Sequence, residues 1–253
     1  MVTYSEMKFL LYNIRYGGGI GRRFHLPFPY SGYLKSTGRN LKRIADFIKS
    51  EKPDIFGLVE VDSGSFRSRR KNQAKEIAEM LGHYHVYQSK YGVKSLLQRI
   101  PILNKQGNAF LTSRKVKAEK FHYFKEGVKR LIIELELEEV KIFLVHLSLK
   151  FKHRQLQLHF LESLIKKERK PVMIVGDFNV FRGDKELKIF LESTDLKSAD
   201  IKKRPSHPSR LPKRQLDYIF HSPEIHITSF EIPKVKFSDH MPLVCDFEVE
   251  PVS

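Results

Sequence analysis

Residues 171–180 read PVMIVGDFNV, and the architecture of the chain can be built from them. Val172 to Val175 is an unbroken apolar run after a proline, the pattern of a strand buried on both faces. Asp177 and Asn179 stand where that strand emerges. A carboxylate and an amide beside a buried run are costly unless they are paired or hold a metal. The segment therefore predicts a central strand that carries polar chemistry at its C-terminal end.

The same arrangement recurs along the chain. Lys8 to Ile14 reads as a buried strand with Asn13 near its end, and Asp54 to Val61, after Pro53, as another ending near Glu60. Leu131 to Leu137 alternates, with Glu134 and Glu136 turned outward. A tight turn at Glu138 and Glu139 leads into Lys141 to Leu147, which carries His146, so the two segments form a hairpin. Leu216 to Phe220 contains Asp217, and Asp239 with His240 immediately precedes a last strand, Leu243 to Val249. Helical spacing lies between these runs. Leu41, Ile44, Phe47 and Ile48 mark Arg39 to Ser50; Ala74, Ile77, Ala78 and Leu81 mark Asn72 to Leu81; Leu158, Leu161 and Ile165 mark Arg154 to Lys166. Helices among strands, with antiparallel pairing, predict a mixed α/β fold. No repeat, low-complexity tract or Gly/Ser linker interrupts the pattern, so residues 1–253 are expected to form a single domain.

With 253 residues, 41% of them hydrophobic, the chain can bury a core without disulfide staples. A single cysteine, Cys245, excludes a disulfide framework and a Cys-based zinc cluster. No apolar leader and no span of ~20 apolar residues is present, which predicts a soluble, cytoplasmic protein, expected to be monomeric. The 46 Lys and Arg against 29 Asp and Glu give a net charge of +17. That excess favours a polyanionic partner: nucleic acid, anionic lipid or a phosphorylated substrate. Basic residues cluster at Arg67, Arg69, Arg70 and Lys71, and again at Lys202, Lys203, Arg204, Arg210, Lys213 and Arg214. Prolines in the second stretch disfavour a helix, so it reads as a basic loop beside Asp217. Arg204, Arg210 and Arg214 are its candidate substrate contacts; a solvated charge run is the ordinary alternative.

Singly, each polar residue at a strand end has a structural explanation. Asn13 could cap a turn, Glu60 could be a surface acid, His146 a satisfied core histidine, and Asp239 with His240 a strand cap. Together they supply acids, amides and histidines to one end of a sheet, the donors that a hard cation such as Mg²⁺ or Mn²⁺ prefers. No Ser or Cys nucleophile with a paired base is evident, so direct attack by water is the expected chemistry.

At this point the sequence resembles the endonuclease/exonuclease/phosphatase superfamily, the metal-dependent phosphoesterases related to DNase I. The matching segments are LLYNIR (10–15), IFGLVEVD (55–62), GNAFLTSR (107–114), VHLSLK (145–150), GDFN (176–179), LDYIF (216–220) and SDHMPLV (238–244), spread over nearly the whole chain. GDFN and SDH, in this order, are the specific signals. The resemblance implies a four-layer α/β sandwich: two packed, mostly antiparallel sheets flanked by helices. It implies Glu60 as the main ligand of Mg²⁺ or Mn²⁺, with Asn13 beside it contacting metal or phosphate and Asp239 completing the metal site. Asp177 would orient or deprotonate the attacking water, and Asn179 would hold a phosphate oxygen. His240, steered by Asp217, would bind the scissile phosphate or move a proton. His146 would donate to a phosphate oxygen or act as general acid. Gly107 and Asn108 would let the backbone approach the substrate, with Asn108 contacting it. Arg15 and Arg154 could touch phosphate or be structural. Gly17 to Gly19, followed by Phe28, Pro29 and Tyr30, suggests a mobile loop over the site.

The departures narrow the branch. VEVD replaces the Gln-Glu-x-Lys pattern of abasic-site nucleases, and the chain has no Trp. PVMIVGDFNV and PSRLPKRQLDYIF lack the marks of inositol 5-phosphatases. His146 in a VHL setting is closer to DNase I and the sphingomyelinases. The chain thus looks most like microbial members of the superfamily. The leading expectation is a phosphodiesterase acting on nucleic acid. The alternatives are a phosphatase or phospholipase C-type hydrolase on a phosphoinositide, sphingolipid or small phosphoester, and a non-catalytic polyanion-binding module.

Overall fold

The computed structural model describes residues 5–21, 37–89, 103–127 and 131–250. The strands are β1 (Ser5–Asn13), β2 (Ile55–Asp62), β3 (Tyr84–Ser89), β4 (Gln106–Thr112), β5 (Ala118–Tyr123), β6 (Leu131–Glu136), β7 (Lys141–His146), β8 (Val172–Asp177), β9 (Lys197–Ser198), β10 (Asp217–His221), β11 (Ile225–Glu231) and β12 (Leu243–Val249). The helices are α1 (Gly38–Glu51), α2 (Gln73–Leu81), α3 (Phe151–Ile165) and α4 (Lys188–Thr194). One six-stranded sheet runs β11-β12-β1-β2-β4-β3 and the other β5-β6-β7-β8-β10-β9. Parallel pairing occurs at β1–β2 and β7–β8, and the other ladders are antiparallel.

Period-two alternation makes the layers. Phe9 and Leu11 of β1, Val59 of β2 and Phe110 of β4 face Ile133, Leu144, Val175 and Ile219 across the interface between the sheets. Their neighbours point the other way. Leu10 and Tyr12 meet Leu41, Ile44 and Ile48 of α1 and Ile77 of α2. Phe143, Val145 and Ile174 meet Leu158 and Leu161 of α3. The apolar stripes expected on the three helices are the faces that they bury. This is the four-layer sandwich, with a helical layer on each outer side. Among the described residues no helix is long and apolar enough to cross a membrane.

Two expectations need correction. Glu134 does point away from the inter-sheet core, but it is buried rather than solvated. It sits 3.2 Å from Lys141 Nζ and 2.6 Å from His122 Nε2, side chains from the flanking strands that close over it. Arg67 is not part of a surface cluster with Arg69 and Arg70. It is buried, 3.4 Å from the buried Asp62 carboxylate, with its guanidinium over the Tyr16 ring. Its planar fork suits a partner held inside the fold.

Strand direction decides where the polar ends meet. Because β1 and β2 are parallel, Asn13 and Glu60 lie toward the same edge. Strands β12 and β4 run antiparallel to them, which brings His240 and Asn108, near the starts of those strands, to that edge too. In the second sheet His146 pairs with Asp177 in the parallel ladder, and Asp217 pairs with Asp177 in the antiparallel one.

Candidate functional site

The two edges join around the Asp177 carboxylate. Its Oδ2 accepts from Asn13 Nδ2 at 3.2 Å, across the interface between the sheets. His146 Nε2 lies 3.3 Å from the same oxygen and 3.9 Å from Glu60 Oε1. His240 Nε2 lies 3.9 Å from Asp177 Oδ2 as well. The second oxygen of Asp177 accepts from the backbone N–H of Asn179 at 3.1 Å, and Asn179 donates its amide to the Leu147 carbonyl at 3.0 Å. Asn13, His146, Asp177, Asn179, Asp217 and His240 are all buried.

His240 and Asp217 form a pair. His240 Nδ1 is 2.8 Å from Asp217 Oδ2, which also accepts from the Ser206 hydroxyl at 2.5 Å. Burial alone would pull the imidazole toward neutrality. The Asp217 charge and hydrogen bond, followed by the charges of Asp177 and Asp239, outweigh it and push the His240 pKa up to about 10. The group at this position is therefore a held imidazolium, with Nε2 turned toward Asp177.

Local backbone features aim the remaining residues. Glu60 sits in an irregularity of the β2–β4 ladder, between Leu58 and Val61, with φ +59°. Such a bulge turns a side chain out of the strand's alternation. The Glu60 backbone N–H donates to Asn108 Oδ1 at 3.3 Å. Asn108 is thus a support for Glu60, and its own Nδ2 is buried with no hydrogen-bond partner among the described residues. Asp239 adjoins His240 and lies 3.2 Å from the buried Arg15 guanidinium.

Ligand-capable atoms of Asp177, Asp217 and His240 lie within 4.8 Å of one another. Asp217 Oδ2 already serves His240 and Ser206, while its Oδ1 is buried with no hydrogen-bond partner among the described residues. The carboxylates of Glu60 and Asp239 and the amide oxygen of Asn13 are the hard oxygen donors that Mg²⁺ or Mn²⁺ takes. The donor chemistry fits such an ion.

The basic loop divides. Backbone hydrogen bonds between His207 and Arg214 close it as a small hairpin, and Ser209 N–H donates to the Asp239 carbonyl at 2.7 Å. Arg210 lines a cavity of about 440 Å³ with Arg15, His207, Lys213 and Asp239, beside His240. Arg214 lies over the Phe181 ring. Arg204 is not brought to this group: it pairs with Asp200 at 3.0 Å and stacks over Phe230. Arg154 is buried against Glu186 and donates to the Ser148 and Leu149 carbonyls, a brace for the loop after His146. Residues 28–30 lie outside the described residues. Sequence reasoning missed Ser206 and His207, whose only signal was their place ahead of Asp217.

The family profile described as Endonuclease/Exonuclease/phosphatase family matches residues 10–240. The chain belongs to this family. Its members are phosphoester hydrolases, typically dependent on a divalent metal. Among solved structures, a family protein from Bacteroides thetaiotaomicron is similar at TM-score 0.74 and 15% identity, over 98% of this chain and 100% of that one. A mannosyl-6-phosphatase from the same organism gives TM-score 0.70 and 16% identity, over 95% and 99%. The human Nocturnin catalytic domain with bound sulfate anion gives 0.66 and 20%, over 98% and 96%. At these identities the likeness carries the fold. No curated protein matches the chain by sequence.

Proposed function

We propose that this protein is a Mg²⁺- or Mn²⁺-dependent phosphodiesterase that hydrolyses its substrate by direct attack of water, with nucleic acid as the favoured substrate. The observation that carries this reading is the meeting of Asn13, Glu60, His146 and His240 around Asp177, at the joined edges of two sheets. Glu60, Asn13 and Asp239 would hold the cation. When bound, it would supply positive charge where the phosphoryl oxygens gain negative charge. Asp177 orients a water and takes its proton. His240, held by Asp217, donates from Nε2 to a phosphoryl oxygen, and Asn179 and Asn108 bind further oxygens. His146 delivers a proton to the departing oxygen. Proton transfers of this kind typically contribute 10²–10⁴-fold. The net charge of +17 and the arginines and lysine around the cavity beside His240 support a polyanionic substrate.

A lipid headgroup or small phosphoester is the second reading, favoured by exposed Leu149 and Leu211 on loops beside the site. The test is a panel with Mg²⁺ or Mn²⁺: plasmid DNA, single-stranded DNA, RNA, bis-p-nitrophenyl phosphate, sphingomyelin and phosphoinositides. EDTA and Asp177→Asn controls accompany it. Cleavage of nucleic acid that vanishes in both controls is expected. Turnover of lipid or small phosphoesters alone would replace the nuclease reading with the second one, and binding without turnover would replace both.

A further inference from the structure

The loops beside the site carry aromatic rings and guanidinium groups in alternation. Phe151 opens α3, just beyond the loop that follows His146, and is 43% exposed. The Arg182 guanidinium lies 4.9 Å above its ring centroid. Next to Arg182 in the chain is Phe181, 40% exposed and two residues beyond Asn179. The Arg214 guanidinium lies 5.5 Å above that ring. Arg214 in turn is hydrogen-bonded through its backbone to His207, whose ring lies against His240. The series Phe151, Arg182, Phe181, Arg214 therefore leads from the rim to the Asp217–His240 pair. Arg182 and Arg214 are themselves exposed.

A single exposed apolar side chain is ordinary, but here two partly exposed rings flank one site, and neither belongs to the core clusters. Each ring has a guanidinium over it, and Phe151 has two, since Arg154 lies 6.0 Å from its centroid as well. A partly exposed ring with an exposed guanidinium over it offers a flat, edge-accessible surface for a nucleobase and a cation for its phosphate. In a duplex the base faces are covered by their neighbours. In a single strand they are free to stack on a protein ring, whatever the base.

We propose that this series is a track for single-stranded nucleic acid, in which bases stack on Phe151 and Phe181 while Arg182 and Arg214 take the flanking phosphates. The proposal rests on the nucleic-acid reading above and narrows it to the single strand. Charge complementarity selects a polyanion, and the alternation of ring and cation selects one with flat bases.

The test measures equilibrium binding in the Asp177→Asn background with Mg²⁺. The probes are a single strand of about 12 nucleotides, the same strand in a duplex, and a version with abasic sites that keeps its phosphates. The wild-type track is expected to hold the single strand roughly tenfold or more tighter than either other probe. Replacing both rings, Phe151→Leu with Phe181→Leu, keeps apolar bulk and removes the stacking faces; it should erase that preference. Phe151→Tyr with Phe181→Tyr should restore it, which a loss of folding would not allow. Equal binding of all three probes, or a leucine variant that keeps the preference, overturns the track. Binding to anionic phospholipid vesicles that depends on the two rings, with none to the single strand, assigns the rim to a membrane surface and also overturns it. If the panel above shows no cleavage of nucleic acid while the base-dependent preference holds, the catalytic reading fails and the track stands.

Discussion

The imidazole of His207 lies against that of His240, with ring centroids 4.7 Å apart and planes inclined by 49°. Burial, then the positive charge of His240, lower the His207 pKa, so a neutral ring packs on a charged one. Backbone hydrogen bonds to Arg214 fix His207 in turn. The pair leaves His240 little freedom to swing about its bond to Asp217. His207 is a positioning residue on this geometry. His207→Ala should lower kcat on bis-p-nitrophenyl phosphate by about tenfold with a smaller effect on KM, and His207→Phe should recover most of the loss. An unchanged kcat, or a loss confined to KM, would remove the role.

Asp177 Oδ2 and His240 Nε2 lie 3.9 Å apart, and each residue should be indispensable to the chemistry proposed. Asp177→Asn keeps the shape and the acceptor for Asn13 but cannot take a proton. His240→Ala removes the imidazolium. Each is expected to lower kcat by at least ~10²-fold, measured on whichever diester the panel turns over. Rates near that of the wild type for both would end the assignment.

Glu60 is aimed by a bulge and supported through its backbone by Asn108. Glu60→Gln preserves that support and removes one negative charge from the donor set. The Mg²⁺ concentration for half-maximal activity should rise by about tenfold or more, while saturating Mg²⁺ restores part of the rate. An unshifted metal titration would exclude Glu60 as a ligand.

The central strands were legible because burial on both faces or strict alternation leaves an unmistakable pattern. Val172–Asp177 and Leu243–Val249 are of this kind. Of the central strands, the buried β4 was not read, and neither were β3, β5, β9 and β11. The last four lie at the ends of the sheets, half in solvent, where polar residues such as Tyr84, Lys120 and His226 break the apolar rhythm. The polar strand ends of the candidate site were legible as a recurring oddity, because a buried acid is costly wherever it occurs. Glu134 and Arg67 misled the reading for the opposite reason. A charged side chain looks solvent-facing until its partners close over it, Lys141 from the neighbouring strand of the hairpin and Asp62 from the end of β2, both near in sequence. His207 had no local signal, since its role comes from a ring contact made across 33 residues of chain.

The Glu134 cluster makes a prediction about stability and pH. Burial alone would raise the Glu134 pKa. Hydrogen bonds from His122 and Lys141, with the charges of Lys141 and Lys120, outweigh it and hold the carboxyl below its usual range. A carboxyl depressed in the folded state contributes stability above its unfolded pKa of about 4.3, and loses it as pH falls through the folded value. Glu134→Gln should therefore be less stable than the wild type at pH 7, by about 2 kcal/mol. The difference should narrow as the pH falls from the unfolded value through the lower folded one, where the wild-type carboxyl is neutral as well. Urea titrations at pH 7 and through that range measure it, and a pH-independent difference would show that the cluster acts by packing alone.

Gly176 precedes Asp177 in the chain and sets its position. It has φ +151°, and a Cβ placed there would lie 1.9 Å from the Val145 carbonyl oxygen, in the neighbouring parallel strand. That oxygen is backbone and cannot step aside like a flexible side chain. Gly176→Ala must therefore spread β7 from β8 at the register where His146 faces Asp177. Overpacking of this kind costs about 1–3 kcal/mol, and backbone strain at positive φ adds to it. A melting temperature lowered by several degrees is expected, together with a loss of turnover at temperatures where the variant is still folded. Gly57→Ala is the comparison, because a Cβ there meets the tip of the Leu144 side chain at 3.1 Å rather than backbone. It should cost stability without a comparable loss of turnover. Equal loss of turnover in both would mean that Gly176 matters to the core and not to the spacing of His146 and Asp177.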